Sequence, residues 1–182
     1  MEVGLINVAK NRLPGAVIAI LVYISYCAAG WYSARSNMGY IGEQYSMPAW
    51  FANDAWAFFF GGLLAFAIYK ALTTFVFRTL TIKVRGDVGA IRYGLNYVVI
   101  AANLVVFGLN FIYLAAPIAS GVMNVLLAPV VTIVFVALYL LYVFKQDYVD
   151  KPYFKTVVSQ ILGTFITVYG IVAVFGVITS VV

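Results

Sequence analysis

From residue 93 to residue 144 the chain carries no charged side chain. In hydrocarbon every backbone N–H and C=O must find its partner within the segment, so such a run has to be helical. A helix crosses a bilayer with about 20 apolar residues, so this run holds two crossings and must reverse between them. The stretch LAAPIASG, residues 114 to 121, supplies the reversal, because Pro117 has no N–H to give and Gly121 relaxes the backbone. Three further uncharged runs follow the same logic: 13 to 34, 55 to 77 interrupted only by Lys70, and 156 to 182. With 65% hydrophobic and 9% charged residues, against roughly a quarter charged in soluble domains, the chain reads as an all-α integral membrane protein. The expected fold is a bundle of five transmembrane helices in one domain covering residues 1 to 182, with spans at about 13–34, 53–77, 93–115, 118–144 and 156–182.

Basic residues set the expected orientation, since loops on the cytoplasmic side are enriched in Lys and Arg. With the N-terminus inside, Lys10, Arg12, Lys70, Arg78, Lys83, Arg85, Arg92, Lys145, Lys151 and Lys155 all fall on the cytoplasmic side and only Arg35 falls outside. Removing or adding a span would scatter these charges, so the split supports both five helices and an N-in, C-out arrangement. Trp31, Trp50 and Trp56 then collect at the outer boundary, where indole rings are favoured. The same bias accounts for the net charge of +5, and nucleic acid is not an expected partner. The first apolar run is expected to stay as a span rather than be cleaved as a signal peptide, because no small-residue cleavage site precedes a soluble domain.

Between the spans, residues 33 to 54 read as the longest external loop, suited to lie on the bilayer surface or on another subunit. Asp54, in NDAW, reads as the N-cap or first-turn acid of the second helix. Residues 77 to 92 alternate apolar and polar over TLTIKV, which fits either a short extended ribbon or the fraying end of helix two. Their basic side chains, with Lys70, make Lys70, Arg78, Lys83, Arg85 and Arg92 the candidate contact for lipid headgroups or an acidic partner loop. A purely topological role for that loop is the simpler reading. Lys70 itself is expected to snorkel towards the cytoplasmic interface, the alternative being an anion site shared with Arg78. The Arg85-Gly86-Asp87 tripeptide resembles an integrin-binding sequence but falls on the cytoplasmic side, where it is a chance match.

Much chemistry is excluded by composition. The chain has no histidine and one cysteine, Cys27, so the usual haem, zinc and copper ligands and the commonest general base are missing. No carboxylate lies mid-span to serve a proton relay or cation path. No catalytic residues, no cofactor and no metal are expected. Duplicated halves, the mark of many transporters, are not found, and five spans do not divide evenly.

What remains is packing chemistry. Asn96, Asn103 and Asn110 recur every seventh residue, two helical turns less about 20° of drift, so they form one slowly winding stripe on the third helix. Asn124, on the fourth, lies at a depth where it could bond to Asn110. Interhelical amide bonds in membranes average about 0.6 kcal/mol with a maximum near 1.7, enough to fix rotation and register. On helix five Gly163, Thr167, Gly170 and Ala173 recur at three- and four-residue spacing, the small surface that lets helices approach in lipid. Gly61 and Gly62 on helix two read as a facing notch, and Pro129 is expected to kink helix four unless a neighbour satisfies the freed carbonyl. The expected function is a small non-catalytic accessory subunit of a larger membrane complex, in contact with membrane lipids and other integral membrane subunits of a prokaryotic plasma membrane. The alternative is a homo-oligomeric channel or carrier for a neutral solute or anion, in which the asparagine stripe lines the path.

Overall fold

The computed structural model describes residues 14–45, 48, 53–115 and 121–181, with the side chains of 32, 33, 36–44, 113–115, 121–125 and 175–181 left outside the description. These residues form five helices and no strand: α1 Gly15–Gln44, α2 Asp54–Lys83, α3 Val88–Ala115, α4 Gly121–Lys145 and α5 Lys151–Val181. Four stretches, Asp54–Lys83, Val88–Ile112, Leu126–Lys145 and Lys151–Val174, are long and apolar enough to cross a membrane, and the described apolar part of α1 is Gly15–Trp31. The outside of the bundle is oily. Leu64, Phe75, Ile82, Ile112 and Leu138 are all more than half exposed, a surface compatible with a multi-pass membrane protein and out of keeping with a water-facing monomer.

The helices run past the uncharged segments. No proline interrupts α1 before Pro48, so its hydrogen-bond ladder continues to Gln44 and residues 33 to 44 are helix, not the loop expected there. α3 starts at Val88 and α5 at Lys151, which puts Arg92 and Lys155 within opening turns. Asn53, not Asp54, caps α2: its Oδ1 accepts from the Ala55 N–H at 2.8 Å. Asp54 occupies the first turn and pairs with Arg35 at 3.0 Å, joining α2 to the far end of α1.

The alternating TLTIKV stretch is helical to Lys83. Thr79 and Thr81 donate back to the Phe75 and Phe77 carbonyls at 3.0 and 2.7 Å, so their hydroxyls serve the helix itself. Val84 is extended, and Gly86, at φ +143°, makes the turn that a side chain would oppose. There the chain meets the α4–α5 loop: Gly86 pairs with Val149 in an isolated antiparallel bridge, the Asp87 N–H donates to the Tyr148 carbonyl at 3.0 Å, and the Asp150 N–H to the Arg85 carbonyl at 3.4 Å.

In the bundle α1 packs most extensively on α2, then on α3; α3 packs on α4 and α4 on α5, while α2 touches α5 and its sequential neighbour α3 only lightly. α1 is therefore wedged between α2 and α3. Its antiparallel fit to α2 depends on the glycine notch: a Cβ on Gly30 would lie 2.5 Å from the Gly61 carbonyl oxygen, and one on Gly62 would overlap the Cys27 backbone. The notch thus faces α1, not α5 as expected from sequence, because α1 brings its own small residues opposite it. The core is built at three- and four-residue spacing from Ile91, Leu95 and Val99 of α3, Val136, Leu140 and Val143 of α4, and Val157, Ile161 and Phe165 of α5. Tyr26, Tyr69 and Tyr169 join it from α1, α2 and α5.

Candidate functional site

The asparagine stripe of α3 turns towards α1 and α2. At its first position the Tyr69 hydroxyl donates to Asn96 Oδ1 at 2.9 Å, and Asn96 Nδ2 donates to the Arg92 carbonyl at 3.1 Å within its own helix. At the second, Asn103 Nδ2 donates to Ser25 Oγ at 3.0 Å, and Ser25 passes its own proton to the Val22 carbonyl at 2.7 Å. Both residues are 3% exposed. At the third, Asn110 Nδ2 donates to the Ala29 carbonyl at 3.2 Å. The Asn124 side chain lies outside the described residues. Each of the three side chains bonds to a neighbouring helix, Asn96 through its oxygen and Asn103 and Asn110 through their N–H groups, so the stripe ties α3 to two different elements along its length.

A second polar group fills the middle of the bundle. The hydroxyls of Tyr26 and Tyr169 share a hydrogen bond at 3.1 Å, and the Tyr26 and Tyr69 rings lie 5.7 Å apart. Phe165 stands 6.4 Å from Tyr69 and stacks on Tyr169 at 5.9 Å. Tyr139 donates to the Ile91 carbonyl at 2.9 Å, linking α4 to α3. Sequence reasoning missed these rings and Ser25. The available signal was position: phenols favour the membrane interface, whereas Tyr26, Tyr69 and Tyr169 stand well inside their helices, where a hydroxyl needs a partner.

The small-residue surface of α5 has no such occupant among the described residues. None of them stands within 4 Å of where a Cβ on Gly163 or Gly170 would be, the glycines' own helix backbone aside. Thr167 is exposed and donates to the Gly163 carbonyl at 2.8 Å, and Ala173 is half-buried. The small-residue surface that meets another helix's backbone is instead the α1–α2 notch.

Of the five candidate cations, two come together. Arg78 and Arg92, with Thr74, Phe77, Thr81, Val88 and Gly89, line a groove of about 350 Å³ between the end of α2 and the start of α3. Arg92 reaches Thr74 Oγ1 at 3.3 Å. Lys83 and Arg85 are exposed and do not line it, and Lys70 holds its Nζ 5.6 Å from the centre of the Phe66 ring. Among the described residues no three metal-ligating side chains gather, and Cys27 is a buried thiol. Comparison with protein-family models, with curated proteins and with solved structures finds no match for the chain.

Proposed function

We propose that this chain is a small non-catalytic subunit of a larger membrane complex, embedded with the start of α1 and its two paired loops on the cytoplasmic side of a prokaryotic plasma membrane and the end of α5 outside. The observation that carries the reading is the contrast between two small-residue surfaces. The α2 notch is closed by α1 to backbone contact, whereas on the α5 surface no described residue of another helix stands within 4 Å of where a Cβ on Gly163 or Gly170 would be. Helices associate in lipid by close packing of small residues, so an unfilled surface of this kind suits an integral membrane partner. The asparagine stripe supports packing over transport, because its amides are bonded to α1 and α2 instead of lining open space.

The test is affinity purification of the tagged chain from native membranes in mild detergent, beside Gly170→Leu and Asn103→Leu. Partners at fixed stoichiometry are expected with the parent and with Asn103→Leu, and are expected to be lost with Gly170→Leu while its helical content is unchanged. Partner retention by Gly170→Leu would refute α5 as the contact. A solute flux in liposomes that Asn103→Leu abolishes without loss of assembly would replace the subunit reading by a channel.

A further inference from the structure

The groove between α2 and the start of α3 joins two guanidinium groups to an uncommitted hydroxyl beside an apolar exterior. We propose that it binds the phosphate of an anionic phospholipid headgroup, held by Arg78, Arg92 and the Thr74 hydroxyl. The proposal rests on the chain being embedded in a bilayer and is independent of its being a subunit.

Guanidinium donors match phosphate oxygens in pairs, and neither Arg78 nor Arg92 forms an ion pair with a described residue. Among the described residues the Arg92 guanidinium is tethered by the 3.3 Å contact to Thr74 Oγ1, a bond to a neutral acceptor that leaves its other N–H groups available. Thr74 accepts there, and no described group takes its own proton, so the hydroxyl can donate to an anion. Thr81 differs: its proton is committed to the Phe77 carbonyl at 2.7 Å, and it contributes only wall. Asp87, in the loop before α3, accepts from the Ala90 N–H at 2.8 Å.

Position selects a lipid over free phosphate. Thr74, Arg78 and Thr81 follow one another at helical spacing on α2, and one residue along from that row stand Phe75 and Ile82, 72% and 80% exposed. A phosphate in the groove would therefore have its acyl chains laid along an apolar flank, a gain that a soluble anion does not share. The groove also sits at the end of the bundle where the loops carrying Arg85 and Asp150 meet, the depth of headgroups in a leaflet.

The experiment is native mass spectrometry of the purified full chain in micelles doped with phosphatidylglycerol or phosphatidylcholine, with inorganic phosphate as a separate competitor. Retention of phosphatidylglycerol over phosphatidylcholine is expected, falling about tenfold in each of Arg78→Gln and Arg92→Gln, the factor that loss of a hydrogen bond to a charged group implies. Arg85→Gln, an exposed charge outside the groove, is expected to change retention less than about twofold. Thr74→Val leaves the charge and the helix intact and is expected to lower retention measurably, which keeps the proposal open to test if an arginine variant fails to fold. Equal losses for Arg85→Gln and Arg78→Gln would reduce the effect to diffuse attraction and overturn the site. So would equal retention of the two lipids, or displacement of phosphatidylglycerol by equimolar inorganic phosphate. Failure to find protein partners would leave all of these readouts unaffected.

Discussion

The Ser25–Asn103 pair makes an unequal prediction for its two partners. Asn103→Leu removes one interhelical bond, worth about 0.6 kcal/mol on average and about 1.7 at most in membranes. It strands nothing, because the Ser25 hydroxyl keeps its 2.7 Å bond to the Val22 carbonyl. Ser25→Ala removes the same 3.0 Å bond but leaves the Asn103 amide, 3% exposed, without that acceptor. An unsatisfied buried donor costs about 1–3 kcal/mol. Ser25→Ala is therefore expected to destabilise more than Asn103→Leu, and the double variant less than the sum of the two, by about 1 kcal/mol. The assay is reversible unfolding in mixed micelles by titration with sodium dodecyl sulfate, followed by far-ultraviolet circular dichroism. Strict additivity, or an Asn103→Leu cost equal to that of Ser25→Ala, would refute the reasoning.

Gly62→Ala should cost about 1–3 kcal/mol in the same assay, because its methyl would overlap the Cys27 backbone and force α1 from α2; a neutral result would contradict the close approach. Lys70→Met should leave assembly and phosphatidylglycerol retention within a few-fold of the parent, since Lys70 lies outside the groove, and loss of either would restore Lys70 as a site residue. In a Cys27→Ala background, Arg85→Cys should resist an impermeant thiol reagent in sealed cells and react after permeabilisation. Labelling of sealed cells would reverse the proposed orientation.

The helices were legible because hydropathy acts over whole segments: an uncharged run from residue 93 to 144 has few structures open to it. Their ends were not, since a helix that leaves the apolar region keeps its internal hydrogen bonds, as residues 33–44 and 79–83 do. The stripe of Asn96, Asn103 and Asn110 could be seen as one face of α3 from its period alone. Its partners could not, because Ser25 and Tyr69 belong to helices whose neighbours are decided by packing. The notch shows the same limit. Gly61 and Gly62 announced a close approach, but only the matching Gly30 and the thin Cys27 side chain on α1 determine who approaches. Nothing in the order of the basic residues divided Arg78 and Arg92 from Lys83 and Arg85: Lys83 differs from Arg78 in phase on α2, and Arg85 lies past that helix's end.

The bridge between Gly86 and Val149 bears on the order in which the molecule is made. Its two halves belong to loops separated in sequence by all of α3 and α4, and chains emerge from synthesis N-terminal part first at about 5–20 residues per second. Arg85 and Asp87 must therefore wait, with two backbone hydrogen bonds unmade, until Tyr148 and Asp150 arrive ahead of α5. The clasp fastens only after α3 and α4 have been made, so the amide protons of Asp87 and Asp150 should be late-protected ones in pulsed exchange during folding.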